Sequence, residues 1–346
     1  MNKLKSISFY SIIFFITETM FIHTGLNEIL NSSKTGTIYS CILGSIISLV
    51  ILFFITKIIN YKKELNIFKK IDLVYGKLGK IINLFLVLIF ILYFIYLLWS
   101  INTYIQNKYL DSTPSFIIIL LFLIPVIWCQ KEGIRTISKV SGLLFIITFL
   151  IILFSVTNLY SGIDLDNFKP LFNTPIITII KDSFIFSSYF VTPMFMLLTI
   201  PDIKTKNTTL FFIISLVNLL LLFIYIIGVF GIDLASLFSY PEYSLMKKIN
   251  YFDFIQHIEN ISTFEWLFSI FISTVMSLNF IIEYLKHINK ERLKYIVIPI
   301  SFILSLVLFS NTTIASIITK KYYLFIYYNP ILLIIISFNI IKRNRI

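Results

Sequence analysis

Charge is what this chain has least of. Charged side chains make up 13 % of its 346 residues, roughly half the share that a soluble domain carries. The stretches between its apolar runs are too short to fold independently, which excludes an inserted soluble catalytic domain. Cysteine is almost absent: Cys41 and Cys129 are the only two. In the topology developed below they fall near opposite membrane faces, too far apart for a disulfide or a shared metal ion. The three histidines, His23, His257 and His287, are dispersed without metal-ligand spacing. No Walker loop, dinucleotide glycine fingerprint, HExxH or GxSxG occurs. An enzyme is therefore not expected, and no cofactor.

What is abundant is apolar surface. Hydrophobic residues make up 58 % of the chain and the mean hydropathy is +0.92. Ten apolar runs lie at roughly 7–30, 37–59, 81–105, 114–130, 137–158, 175–200, 208–231, 262–285, 294–311 and 322–341. A helix needs about 17–25 apolar residues to cross the hydrocarbon core. Backbone polar groups facing lipid find no water, so the crossing elements must be helices. The expectation is an all-α polytopic membrane protein, one integral membrane domain with about ten transmembrane helices. The opening Met1-Asn2-Lys3-Leu4-Lys5 mimics a signal peptide but is followed by a long run without a small-residue cleavage site, and reads as a retained first span.

The net charge is +12. In a soluble protein this would suggest nucleic acid; here the basic residues sit in loops, where they report topology, and no nucleic-acid partner is expected. With the N-terminus in the cytoplasm, 21 of the 29 basic residues fall on the inner side. That asymmetry places both termini in the cytoplasm and requires an even number of spans. The inner 60–80 segment carries Phe68, Ile71, Leu73, Val74 and Leu78 among lysines and is predicted to lie as an amphipathic helix on anionic headgroups. The outer 232–261 segment carries Asp233, Glu242, Asp253 and Glu259. It reads as a lid, as a contact for an extracytoplasmic partner, or as a solvated connector with one short helix.

Polar residues inside the spans carry the functional signal. Glu18 lies near the middle of the first run, between Thr17 and Thr19 and ahead of His23. A mid-membrane carboxylate is costly unless neutralised or paired. Two roles are open to it: taking a proton, a cation or a ligand amine, or fixing a neighbouring helix through a hydrogen bond. The sixth run holds Ser187, Ser188, Tyr189 and Thr192, then Pro193. Proline removes a backbone donor and frees a carbonyl one turn earlier, so a helix interruption is predicted there. Such interruptions bind small polar solutes in transporters, although serine and threonine also simply pack helices closely. In the eighth run Ser269, Ser273 and Ser277 repeat every four residues, a stripe that either lines a cavity or packs a helix. Asn102 and Gln106, near the end of the third run, are weaker candidates, and Asn311 to Thr313 read as an outer loop.

Four segments carry a family resemblance. Asn102-Thr103-Tyr104-Ile105 through Ser112-Thr113-Pro114 resembles an outer loop ending in Thr-Pro. Lys131-Glu132-Gly133-Ile134-Arg135-Thr136-Ile137 resembles a "KGIEVIARV" turn into the fifth span. Ile163-Asp164-Leu165-Asp166-Asn167-Phe168 is similar to a "DLDNLLPL" loop. His257-Ile258-Glu259-Asn260-Ile261 with Trp266 is similar to an "RIE" segment leading into the eighth span. In this order, over nearly the whole chain, they resemble the spore-germination permease family, the B subunits of germinant receptors (GerAB-type), within the amino acid/polyamine/organocation transporter superfamily. The resemblance implies a LeuT-like fold of two inverted five-helix repeats, about 7–158 and 175–341, with discontinuous first and sixth helices. It implies a nutrient sensor in the spore inner membrane alongside receptor A and C subunits, with an amino acid or similar nutrient bound at the midplane. The ligand-site candidates are Thr17, Glu18, Thr19, His23, Ser187, Ser188, Tyr189, Thr192, Ser273 and Ser277. A proton- or sodium-coupled amino acid permease is the alternative. Where the family has a glycine-rich stretch in the first span, this chain has Thr17-Glu18-Thr19, which points toward an amine-bearing ligand.

Overall fold

The structure, a computed structural model, describes residues 7–21, 25–170, 173–248, 259–308 and 328–342, excepting the side chains of 7 and 259–262. Among these residues all regular structure is helical. In chain order the elements are α1 (Ile7–Glu18), α2 (Leu26–Ser33), α3 (Thr37–Asn60), α4 (Ile67–Tyr75), α5 (Lys77–Lys108), α6 (Ser115–Glu132), α7 (Ile134–Leu159), α8 (Ile176–Val191), α9 (Met194–Leu197), α10 (Thr205–Leu237), α11 (Pro241–Met246), α12 (Glu259–His287), α13 (Lys294–Val307) and α14 (Tyr328–Lys342). Six helical stretches are individually long and apolar enough to cross a membrane: Leu26–Asn60, Lys77–Lys108, Ser115–Glu132, Ile134–Gly162, Thr205–Leu237 and Thr263–His287. The first, sixth, ninth and tenth apolar runs lie in shorter pieces, among them Ser8–Glu18 and Tyr328–Lys342. His23, His257, Asn311, Thr312 and Thr313 lie outside the described residues.

Local chemistry explains the boundaries. Pro114 stands at the start of α6 and Gly133, at φ +86°, separates it from α7, a backbone state glycine adopts without steric cost. Asn66 caps α4 by accepting from the Lys69 amide at 3.1 Å. The predicted interruption in the sixth run is present: α8 stops at Val191 and Thr192-Pro193 leads into the single turn of α9. In the first run α1 stops at Glu18, and the Gly25 amide reaches back five residues to the Met20 carbonyl at 3.0 Å. That π-type closure is a common mark of functional sites in helices.

α1 is the axis of the bundle. Its side chains from Phe9 to Glu18 are almost entirely buried, and it packs against α7, α10 and α12. Around it α3 lies along α8, and α5 along α12. The α3–α8 contact is close because residue 44 is glycine; a Cβ there would sit 2.7 Å from the Phe186 ring. The outward faces of α6 and α7 expose Leu121, Trp128, Leu143 and Ile146, as lipid-facing helices must. Cys41 and Cys129 are both buried free thiols.

The 60–80 segment departs from expectation. Its helix, α4, exists, but the apolar face of Ile67, Phe68 and Ile71 is buried in protein. Phe68 packs edge-on against Phe280 and Tyr284 and stacks on His287. Lys70 is 4 % exposed and donates to the Ile58 carbonyl at 2.8 Å and the Ile59 carbonyl at 3.4 Å. It thereby satisfies carbonyls left open at the end of α3. Amphipathic periodicity shows that a face must be covered; it does not say by what.

Candidate functional site

At the end of α1, three consecutive polar residues divide between two neighbouring helices. The Thr17 hydroxyl meets Ser215 of α10 at 2.5 Å and returns to its own Ile13 carbonyl at 2.8 Å. The Glu18 carboxylate, 1 % exposed, accepts from the Asn218 amide of α10 at 2.9 Å. Thr19 turns the other way: its hydroxyl donates to the Ser269 carbonyl of α12 at 2.9 Å and meets the Ser273 hydroxyl at 2.6 Å. The serine stripe of α12 is therefore, at Ser269 and Ser273, a packing surface for α1. Ser277, a turn further along, donates to its own Thr274 carbonyl at 2.9 Å.

One turn in the other direction, the same face of α12 carries Glu265. It shares Asn218 with Glu18, so one amide lies between two carboxylates. Beside them is a cavity of about 70 Å³, lined by Glu18, Asn218 and Glu265, by leucines of α10, by part of α7 and by Glu242, Leu245 and Met246 of α11. That is room for a small solute or a few waters.

α11 forms the roof and is fastened by aromatic groups. Tyr104 of α5 stacks on Trp266 with ring centres 4.1 Å apart and meets Tyr240 edge-on at 5.1 Å. Its hydroxyl pairs with Thr263 at 2.8 Å. The Lys108 ammonium lies 4.4 Å from the centre of the Tyr243 ring and 5.0 Å from that of Tyr240, within cation–π range. Glu242 is 7 % exposed. Burial pushes its carboxyl up to about 8, against the opposing pull of its own backbone amide and of Lys108. Asn102 and Gln106 serve the same end of the bundle: the Asn102 amide donates to Gln106 at 3.0 Å and to Ser115 of α6 at 3.1 Å.

The sixth-run candidates lie elsewhere. Ser187 is buried with its hydroxyl unpartnered, and Ser188 returns its hydroxyl to the Phe184 carbonyl at 2.6 Å. The Tyr189 hydroxyl donates to the Glu28 carboxylate of α2, and its ring abuts Gly25. Thr192 is buried where α8 ends. None of these four lines the cavity beside Glu18. The structure thus joins Thr17, Glu18, Thr19 and Ser273 in one contact region and leaves Ser187, Ser188, Tyr189 and Thr192 in another.

Asn218, Glu242 and Glu265 were missed. Two had readable signals. Glu265 continues the four-residue stripe Ser269, Ser273, Ser277 backward by one step, and Asn218 stands three residues after Ser215 in an otherwise apolar run. Glu242 was visible only as one of four acids in an outer segment for which a lid, a partner contact and a solvated connector were all open.

α1 ends at Glu18 with its carboxylate beside a cavity, and comparison with known proteins gives the chain a family. The family model described as "Spore germination protein" matches residues 6–317. The chain belongs to the spore germination permease family. Among curated relatives it is 22 % identical over 265 residues to YfkT of Bacillus subtilis (strain 168), a protein whose name assigns it to spore germination. That alignment covers 76 % of this chain and 74 % of YfkT. It is 23 % identical over 206 residues to spore germination protein XB of Bacillus anthracis, covering 56 % of each chain. A member of this permease family with helices of membrane-crossing length and apolarity is an integral membrane protein of the germination machinery.

Proposed function

We propose that this protein is the membrane-embedded nutrient sensor, the B subunit, of a spore germinant receptor. The single observation carrying this reading is the cavity at the end of α1, where Glu18 and Asn218 meet beneath the α11 roof. A carboxylate held at a helix break beside a void is where a transporter-like protein takes its solute. Ligand occupancy then shifts an equilibrium between roof-closed and roof-open states through differential affinity for the two, and the change is read by receptor A and C subunits. In this reading the ten apolar runs form two inverted repeats, about 7–158 and 175–341, with both termini in the cytoplasm and α11 on the outer face of the spore inner membrane. The sixth-run group Ser187, Ser188, Tyr189 and Thr192, with Ser277, borders the path between the repeats.

The test is a deletion. Spores lacking the gene should lose germination in response to one class of nutrient while keeping a normal response to non-nutrient triggers, and the tagged protein should bring down a second membrane protein and a lipoprotein in stoichiometric amounts. Unaltered nutrient germination together with isolation of the chain alone would end this reading.

A proton- or sodium-coupled amino acid permease is the second reading. The observation in its favour is the pair of carboxylates, Glu18 and Glu265, sharing one amide, a grouping suited to handing a proton across the membrane. Amino acid uptake into proteoliposomes driven by a proton or sodium gradient would select it.

A further inference from the structure

At the end of α12 away from α11, a second cavity of about 710 Å³ lies between α6, α12, α13 and the turn that follows α9. Asn279 of α12 lines it and is 6 % exposed, and no described residue hydrogen-bonds its side chain. A buried amide without partners is costly, so this one calls for a hydrogen-bonding group from outside the chain. Two turns nearer the end of α12, the cavity has a charged rim. Among the described lining residues, Lys131, Lys286 and Lys294 stand with Glu283 and Glu291, one positive charge in excess. Lys286 and Lys294 pair with those glutamates at 2.8 and 2.9 Å. Lys131, near the end of α6, has no carboxylate partner among the described residues. The walls between are apolar, with Ile127 of α6 and Ile298 of α13 facing each other's helices across the cavity.

The surroundings are those of a membrane interface. Tyr295 lines the cavity and Trp128 follows Ile127 of its wall, and both aromatic side chains are exposed, as in the belts at headgroup level. Beyond them α6 and α13 continue outward as bare apolar surface at Ile124 and Ile300. We infer that the cavity binds an anionic phospholipid, its phosphodiester beside Lys131, an ester carbonyl at the Asn279 amide and its acyl chains along the outward faces of α6 and α13. A phospholipid presents its groups in that order, phosphate outermost, ester carbonyls beneath and hydrocarbon below. Basic pockets between helices at an interface suit such headgroups. The single excess positive charge matches the single negative charge of the phosphodiester, which a zwitterionic lipid would cancel with its own amine. A free phosphate ion would leave most of about 710 Å³ unfilled and would not reach both Lys131 and the deeper Asn279. The site lies at the other end of α12 from the Glu18 cavity and does not depend on what enters there.

The experiment uses the full chain with any subunits that copurify, freed of bound lipid in detergent, and counts retained lipid by native mass spectrometry as phosphatidylglycerol is added. One phosphatidylglycerol should be retained at concentrations where phosphatidylcholine is not, and glycerol 3-phosphate at tenfold excess should not displace it. Lys131→Glu should weaken retention about twentyfold, because one attraction is lost and one repulsion gained, each worth about fivefold. Lys57→Glu, the same reversal at an exposed lysine of α3 outside the cavity, should leave retention unchanged. Asn279→Leu keeps the side chain's bulk and removes the amide, and should weaken retention about threefold or more. Should that buried change fail to give monodisperse protein, the two exposed lysine reversals decide. Equal retention of phosphatidylcholine, displacement by glycerol 3-phosphate, undiminished retention by Lys131→Glu, or equal loss in Lys57→Glu overturns the inference. So does phosphatidylglycerol that is retained only after copurifying subunits are stripped away, since the cavity is then the seat of a partner chain.

Discussion

Two buried carboxylates, Glu18 in the first run and Asp182 in the sixth, show how differently the same group can be used. Asp182 is fully buried in α8, and the hydroxyls of Ser33 and Ser32 donate to it at 2.5 and 3.0 Å. Ser33 is itself tied to Ser40 at 2.7 Å. Its donors come from α2, the neighbouring helix in the packing; they line a cavity, but Asp182 lies behind them and lines none of those described. Glu18 has the Asn218 amide and the Ser215 hydroxyl on one side and an open cavity with two more acids on the other. Both carboxylates are given donors by the fold. Burial and chemistry are alike in the two cases; what separates them is that Glu18 itself lines a cavity beside other acids and Asp182 does not.

That comparison can be broken most directly at Asp182. Asp182→Ala strands two hydroxyls and removes two charge-assisted hydrogen bonds, so unfolding of the purified protein in mixed micelles should be easier by about 3 kcal/mol. Thr19→Val removes the hydroxyl that grips α12 at two points, and interhelical bonds in membranes are individually weak, so about 1 kcal/mol is expected in the same assay. Glu18→Gln keeps an acceptor for Asn218 and should change stability by less than about 0.5 kcal/mol while removing ligand binding. If Glu18→Gln destabilises as much as Asp182→Ala, both carboxylates are structural and the distinction fails.

A further effect is expected from pH. Between about 4.5 and 8 the docked α11 holds a proton on Glu242 that an undocked, solvated α11 would release. The docked state thus binds more protons in that window, and docking weakens as pH rises through it. Burial sets the sign; of the groups facing Glu242, its own backbone amide and Lys108 oppose the shift and Glu265 adds to it. Hydrogen exchange in 241–246, corrected for its intrinsic pH dependence, should be faster at pH 8.5 than at pH 6, and Glu242→Gln should remove the difference.

Much of the helix pattern was legible in the residues. The run 37–59 is α3 at Thr37–Asn60, and 114–130 is α6 at Ser115–Glu132, because hydrophobic length and proline are local signals. The break after Val191 was legible for the same reason: Pro193 cannot continue the ladder. The importance of Glu18 was legible as a cost, since a carboxylate there needs an explanation. What it meets was not. Asn218 and Glu265 come from runs 200 and more residues away, and only packing brings them to one place. Glu242 was named only as one acid of a segment with a lid among its readings, and Lys70 only as one lysine of several; in both cases tertiary packing buries a residue type that is usually exposed.

α12 has a mechanical consequence. Glu265 stands near one of its ends and His287 at the other, 22 residues of helix apart, which is about 33 Å at 1.5 Å per residue. His287 Nε2 lies 2.7 Å from Asp72 of α4, and Asp72 in turn accepts from Asn83 of α5 at 2.9 Å. The helix therefore ties the cavity wall at Glu265 to α4 at Asp72, and α5, α1, α6 and α7 brace it between those ends. The two ends of the bundle share one continuous element, so neither can be repositioned without the other.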